Sequence, residues 1–505
     1  MQSDMAEQTG GGLWQPDLTD RDRPLYLAIA DAIADDVRDG RLAVGQRMPP
    51  QRTLADRLGL DLTTVSRAYG EARRRGLLDA RVGQGTFVRQ QDAPVPGPAR
   101  RLTTAPVPNP IPAVIDMTMN QPPLPDAPEL LDRVRQGIEL AVRQIDPQSL
   151  LRYPDSGAGA TDEDRAAGAR WLARRQPDPA GGSDAEEAAS RIATRTVVCP
   201  GTQGALLALL SMLARPGDTV CTEALTYPGF KAIARQLGLQ VIGIPMDGRG
   251  LDPDALRAAV KAHAPKALYC TPTLHNPTTA TLPAERREAI AAIARDHGFP
   301  IIEDDIYGVL PQDAPPPIAS FAPDVTFHVV GLAKCVAPGL RIAYVAAPDG
   351  RQAIRLASAL RATMLGTPPI LAAVATQWIG DGTAEQLLSA IRAEARVRQG
   401  MARDLLPPTA MTAHPDGFHL WLTLPPSWTR GEFASHLRTR GIAAAVSDTF
   451  LVPGPDLVSG FQPGPAPEAL RICLGAPPAR ADCRRMLETL ADTLEQSPAV
   501  IGIVI

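Results

Sequence analysis

Chemistry is first legible around one lysine. His328-Val329-Val330-Gly331-Leu332-Ala333 is a largely apolar run, Lys334 ends it, and Pro338-Gly339-Leu340-Arg341 follows. An amine that leaves a strand with an arginine seven residues on suits an activated nucleophile beside an anion site. A second apolar run, Pro300-Ile301-Ile302, ends in Glu303-Asp304-Asp305 and then Tyr307. Strand C-terminal ends in open α/β sheets point into the ligand crevice. An acid buried there is costly unless a cation pairs with it. Val197-Val198-Cys199-Pro200-Gly201-Thr202-Gln203 reads as strand, glycine turn and helix start, whose open amides suit a phosphate. Tyr227, in Thr226-Tyr227-Pro228-Gly229, either stacks on an aromatic ligand or packs beside its turn. Asn276, before Pro277, either bonds a ligand oxygen or caps its own loop.

Taken singly, each of these has a plain structural explanation. Taken in order, they fit one cofactor, pyridoxal phosphate. Lys334 would form the Schiff base with its aldehyde, and Asp304 would keep the pyridine nitrogen protonated, which makes the ring an electron sink. Tyr307 and Asn276 would hydrogen-bond the phenolic oxygen. The Thr202 and Gln203 amides, with Arg341, would hold the phosphate, and Tyr227 would stack on the ring. No metal site is expected. The six cysteines are scattered, none forms a C-x-x-C pair, and none stands at ligand spacing from a histidine. Buried free thiols in a reducing compartment fit that pattern, and the dispersed histidines, His275 and His297 included, are read as structural.

The elements that must position these residues come next. A chain of 505 residues, 44% apolar, implies two or three domains. The formal net charge of −4 excludes no partner, since a basic patch can sit inside a neutral total. The N-terminus lacks a basic stretch followed by an apolar run, and no run approaches ~18 apolar residues, so neither a signal peptide nor a membrane span is expected. Cytoplasmic location follows as the expectation. Seven prolines between Pro94 and Pro112 mark an extended, semi-rigid linker. The expected division is a tail over 1–18, a DNA-binding module over 19–90, the linker over 91–114, an α/β block over 115–495, and a tail over 496–505.

In the N-terminal block, Pro24 opens a helix with Leu25, Ile29, Ile33 and Val37 as its apolar stripe and Asp31, Asp35, Asp36 and Asp39 on its solvent side. Thr53 to Leu58 is a short helix, Gly59-Leu60-Asp61 a turn, and Asp61 the N-cap of a helix from Leu62 to Arg75, with Leu62, Val65, Tyr69 and Ala72 inward. Helix, three-residue turn and helix make a helix-turn-helix. Thr63, Thr64, Ser66 and Arg67 on the outer face suit phosphates and base edges in the major groove. Arg73, Arg74 and Arg75 either add to that surface or complement the helix dipole. Ala80-Arg81-Val82 and Thr86-Phe87-Val88 flank Gly83-Gln84-Gly85 as a hairpin wing.

This block resembles the winged helix of GntR-family regulators. The match runs through Pro24-Leu25-Tyr26, Gly45-x-Arg47-Met48-Pro49-Pro50-Gln51-Arg52-x-Leu54-Ala55, Thr64-Val65-x-Arg67-Ala68-Tyr69, Gly76-Leu77-Leu78 and Gly83-x-Gly85-Thr86-Phe87-Val88. The resemblance implies DNA binding, with Arg47, Arg52, Thr64 and Arg67 as contact residues and Leu54, Leu58, Val65 and Leu77 as core. Residues 115 to 495 resemble fold-type I aminotransferases through Tyr153-Pro154-x-x-Gly157, Gly201-Thr202-Gln203, Tyr227-Pro228-Gly229, Asn276-Pro277, Glu303-Asp304-Asp305-x-Tyr307 and Lys334-x-x-x-Pro338-Gly339-x-Arg341. That resemblance implies a large mixed-sheet α/β domain and a smaller α+β domain. It makes Arg471, in Leu470-Arg471-Ile472-Cys473, the residue for a substrate or effector carboxylate. It also implies a homodimer in which Tyr153 reaches the cofactor phosphate of the partner subunit. Such enzymes usually carry a serine two residues before the lysine; Leu332 stands there instead, which puts efficient transaminase turnover in doubt.

The whole arrangement is similar to MocR-type regulators, a GntR winged helix fused to an aminotransferase-like domain. The resemblance implies a domain-swapped homodimer that binds a double-stranded operator and senses an amino acid, a related amine or pyridoxal phosphate. The alternative is a working aminotransferase with a vestigial DNA-binding domain.

Overall fold

The computed structural model describes residues 14–18, 24–39, 41–43, 45–81, 85–88, 114–125, 127–152, 160–175, 185–452 and 466–496. Tyr153, the proline-rich 93–113 stretch, the glycine turn at 83–84 and the 497–505 tail lie outside the described residues. The chain divides into two compact units, with the boundary between Asn109 and Pro110.

The first unit is built on three helices, Leu25–Arg38, Gln51–Leu58 and Leu62–Arg74, and an antiparallel pair, Leu78–Arg81 with Gly85–Val88. Ile29, Ile33, Leu54, Val65, Tyr69, Ala72 and Leu77 form its core. The second helix begins at Gln51, two residues before the expected start, directly after Pro50 at its N-cap. Proline suits that boundary because it has no N–H to leave unpaired. Gly59 takes a left-handed conformation (φ 62°) and ends that helix. The Asp61 carboxylate then accepts from the Thr63 N–H at 2.7 Å, capping the next helix. Leu25 and Leu62, expected inward, are about two-fifths exposed. Each is the first residue of its helix, ahead of the turns that carry the buried stripe. The Tyr69 hydroxyl donates to the Pro49 carbonyl at 2.9 Å, fixing the third helix to the Pro-Pro turn.

The second unit holds a seven-stranded sheet. Its order is Thr196–Cys199, Ala343–Ala346, Thr326–Gly331, Ile301–Asp304, Ala267–Cys270, Thr219–Glu223, Gln240–Ile244. The last five are mutually parallel, and Ala343–Ala346 runs antiparallel to both of its neighbours. Strands covered on both faces read as continuous apolar runs, which is why Ala267–Cys270, Ile301–Asp304 and Thr326–Gly331 are buried throughout. Parallel pairing aligns their C-terminal ends, so Asp304 and the turn carrying Lys334 emerge on one edge of the sheet. A smaller lobe adds an antiparallel sheet in the order Met411–Ala413, His419–Thr423, Ala469–Cys473, Ala445–Val446. Helices Thr383–Leu405 and Arg480–Glu495 pack together beside it. Arg471 lies mid-strand, opposite Trp421 on one side and Ala445 on the other. Ile115–Asp116 pairs in parallel with Ile442–Ala443 and so ties the start of this unit to the smaller lobe. All six cysteines are free and buried. Among the described residues, no helix is long and apolar enough to cross a membrane.

Candidate functional site

A cavity of about 510 Å³ opens where the parallel strand ends meet the smaller lobe. Thr202, Gln203, Tyr227, Asn276, Asp304, Tyr307, Lys334 and Arg471 all line it. Arg341 does not, but it reaches the rim: its Nη2 bonds the Gln203 side-chain oxygen at 3.4 Å. Tyr153 is outside the described residues.

The buried acid is the strictest feature. Asp304 Oδ2 accepts from the Tyr269 hydroxyl at 2.9 Å, while its Oδ1 has no partner. Phe230 stacks on Tyr269, with ring centroids 4.2 Å apart and planes 5° from parallel, and so holds that phenol in place. Burial raises the Asp304 carboxyl to about 7, against the pull of the Tyr269 bond, the Ile306 N–H and Lys334. A second buried carboxyl, Glu223, sits behind it. It accepts the Thr271 N–H at 2.7 Å and is likewise pushed up to about 7 by burial. The acids flanking Asp304 are both engaged. Glu303 accepts from the Ile318 and Ala319 amides at 2.7 and 2.8 Å, and Asp305 pairs with Arg175 at 2.8 Å. Asp304 is the acid of the three that lines the cavity.

Lys334 follows the strand Thr326–Gly331, and burial lowers its amine to about 8, with Arg471 and Arg341 adding to the fall. Its Nζ donates to the Asn120 carbonyl. Gly331 is required by a close approach, since a Cβ there would lie 2.3 Å from the Thr202 hydroxyl oxygen. The helix Gly201–Leu213 has Pro200 as its N-cap and no side-chain cap bond, so its first amides are left for another acceptor. Gln203 Nε2 donates to the Tyr227 hydroxyl at 3.2 Å. Leu332 is fully buried in the apolar cluster with Val198, Tyr307 and Leu340, and offers no oxygen to the site.

Asn276 and Tyr307 are both oriented by neighbours. Asn276 Oδ1 accepts from Arg471 Nη1 at 2.7 Å, which leaves its amide N–H groups for other partners. Asn120 Nδ2 donates to the Tyr307 oxygen at 2.9 Å and approaches His419 Nδ1 at 3.3 Å, while His419 Nε2 lies 3.2 Å from the His275 carbonyl. This chain fixes its own polarity. A carbonyl can only accept, so His419 carries its proton on Nε2 and accepts at Nδ1. Tyr307, already accepting from Asn120, keeps its own proton to donate.

Asn120, Tyr269, Glu223 and His419 were not identified from the sequence. Tyr269 had a signal, its place in the apolar run Ala267-Leu268-Tyr269-Cys270 ahead of Thr271-Pro272, and the structure sets it in register with Ile302, two residues from Asp304. Asn120 and His419 had none, because each arrives from a segment remote in sequence.

Comparison with known proteins adds independent findings. Residues 112–490 match the family model for aminotransferase class I and II, and residues 25–88 match that for bacterial regulatory proteins of the gntR family. The uncharacterized HTH-type transcriptional regulator YdeF of Bacillus subtilis is 30% identical over 439 residues, covering 87% of this chain and 89% of that protein. The HTH-type transcriptional regulator TauR of Rhodobacter capsulatus is 28% identical over 460 residues, covering 85% and 90%. In fold, the chain is similar to the α-aminoadipate aminotransferase LysN of Thermus thermophilus, with a TM-score of 0.63 and 20% identity over 77% of this chain and 94% of that one.

Burial lowers His275 to about 4 and His419 to about 3. An unfolded histidine titrates near ~6.5. The unfolded chain therefore binds more protons than the fold below ~6.5, so both histidines favour the folded state above that pH and make it less stable as pH falls through that window. The imidazole resonances of both should stay at their neutral values between about pH 5 and 8 in nitrogen-15 spectra. A midpoint near 6.5 for His419 would contradict the tautomer chain, and one near 6.5 for His275 would contradict the burial of its ring.

Proposed function

Since the chain belongs to the aminotransferase class I and II family and carries a gntR-family regulatory region ahead of it, we propose that it is a DNA-binding transcription regulator whose second unit holds pyridoxal phosphate and reads an amine ligand. The observation that carries the reading is the open Oδ1 of buried Asp304 in one cavity with Lys334, in a chain that also bears an exposed helix-turn-helix face. Relatives matched over more than four-fifths of their length are called transcriptional regulators, which favours regulation over an aminotransferase with an idle N-terminal region.

The residues present fit the cofactor. When bound, it supplies an aldehyde carbon that takes a primary amine and a ring that draws electrons away from it. Asp304 Oδ1 would accept the ring N–H⁺, with the Tyr269 bond keeping the carboxylate aimed. The Tyr307 O–H and the Asn276 amide would donate to the phenolic oxygen. The Thr202 and Gln203 amides, with Arg341, would hold the phosphate, without help from the Leu332 position. Tyr227 would stack on the ring. The lowered Lys334 amine has a far larger neutral fraction at neutral pH than an exposed lysine, which suits it to attach the cofactor and to yield to an incoming amine. Arg471 takes the ligand's carboxylate.

On the first unit, Arg47, Arg52 and Arg67 are exposed and Thr64 is half-buried. Arg74 and Arg75 bond Glu71, and Arg75 also bonds Asp31, so these two arginines are held by the unit's own acids. The reading therefore places DNA contacts on Arg47, Arg52, Thr64 and Arg67. A homodimer, domain-swapped and with Tyr153 of the partner subunit at the phosphate, completes the reading. Helix Pro128–Gln144 supports it by exposing Leu131, Ile138 and Val142 on one face, an apolar surface of the kind that marks a protein interface.

Lys334→Ala should leave the fold intact and abolish covalent retention of the cofactor after borohydride treatment, read by mass spectrometry. Retention in the variant would place the attachment on another amine. Arg67→Ala should weaken operator binding by about 1–3 kcal/mol in gel shifts at fixed salt. Unchanged affinity and salt slope would remove Arg67 from the interface.

A further inference from the structure

Part of the cavity remains after the cofactor's own contacts are assigned, and its chemistry is one-sided. Apart from Lys334 and Arg471, no lysine, arginine or histidine lines the cavity among the described residues. The stretch 453–465, outside the described residues, carries none of these in its sequence. Lys231 is close in the fold, but its Nζ bonds the Thr449 and Leu451 carbonyls, and it does not line the cavity. The walls around Arg471 come from Met119, Ala444, Ala445, Val446 and Phe450, with Thr118 and Thr449 as uncharged polar neighbours. The Arg471 guanidinium lies over the Phe450 ring, 5.0 Å from its centroid. Phe450 in turn meets Trp421 edge-on, at 6.2 Å and 82°, in an apolar cluster with Leu225, Ala445 and Ala469. Arg471 is thus the one guanidinium lining this end of the cavity among the described residues, with one N–H (Nε) unpartnered, set into an uncharged and mostly apolar surround.

From this, and resting on the amine-ligand reading above, we infer that the effector is an amino acid whose side chain is apolar. Its amine goes to the Lys334 end and its carboxylate to Arg471. The rest of the molecule lies against Met119, the Ala444–Val446 stretch and Phe450. A second carboxylate there would give up its hydration with no cation among the described residues of its own protomer to replace it. A side-chain ammonium would lose hydration beside Arg471, and the acid that lines the cavity with an open oxygen, Asp304, is taken by the cofactor. Discrimination comes from what the wall withholds as much as from what it offers.

The test uses full-length, cofactor-loaded protein titrated with L-leucine and with L-glutamate, followed by the cofactor's visible absorption. Half-saturation by L-leucine is expected at a concentration at least about tenfold lower than by L-glutamate, equivalent to ~1.4 kcal/mol. Met119 is exposed at the rim, so Met119→Lys adds a cation to the wall at little risk to the fold, and should shrink the leucine-to-glutamate preference by about tenfold. A variant-free arm compares L-norleucine with L-lysine, nearly equal in length and different in charge; norleucine should bind tighter. Equal or tighter binding of L-glutamate or L-lysine by the wild type would overturn the inference, as would an unchanged preference in Met119→Lys. A retained cofactor whose absorption answers to no amino acid would instead overturn the amine-ligand reading itself, and this inference with it.

Discussion

A carboxylate with one unsatisfied oxygen at the end of a buried strand is the constraint around which this molecule is arranged. Leaving such a group unpaired is costly, and the protein nevertheless surrounds Asp304 with features that keep it in place: the Tyr269 bond, Phe230 stacked behind that phenol, and parallel strands on both sides. Its flanking acids are paired by the protein's own groups, Glu303 with backbone amides and Asp305 with Arg175. Asp304 is left facing the cavity, where, on the proposed reading, a ring carrying N–H⁺ would supply the missing partner. The sheet topology serves the same end, since parallel pairing brings Asp304 and the turn bearing Lys334 to one edge.

Arg471 belongs to a different sheet, in the smaller lobe. The loop at 116–121 touches both parts of the site, with the Thr118 carbonyl on Arg471 and the Asn120 carbonyl on Lys334. On the proposed reading, a ligand held by its amine near Lys334 and by its carboxylate on Arg471 would join the two lobes. A regulator needs such a difference, because a ligand that favours neither of two states shifts nothing however tightly it binds. The loop lies just after the proline-rich stretch in the sequence.

Much of this was legible in the sequence, and the reasons are physical. Lys334, Asp304 and the Gly201 turn announce themselves because apolar strands end in them, and a strand's end is a local event. Asp61 and Gly59 were readable for the same reason, since caps and turns are set within three or four residues. Leu25 and Leu62 were misjudged because periodicity marks a face but not where packing along the helix begins. Asn120, Tyr269 and His419 were invisible or nearly so. Their role depends on contacts between residues 35 to 299 apart along the chain, and no local pattern records that encounter. Leu332 was legible as a departure, and its place in the core explains it: the position packs against Val198 and Leu340 and adds nothing to the phosphate cradle.

The central claim is that one chain couples a cofactor-bound amine site to DNA. It is tested most directly by the operator affinity of cofactor-loaded, full-length protein, with and without an amino acid that changes the cofactor's absorption, at fixed salt. The account predicts that every ligand changing the absorption also changes DNA affinity, by about tenfold for each ~1.4 kcal/mol of preference between the two states. Ligands that change the absorption while DNA affinity stays the same, in both cofactor-loaded and cofactor-free protein, would contradict it.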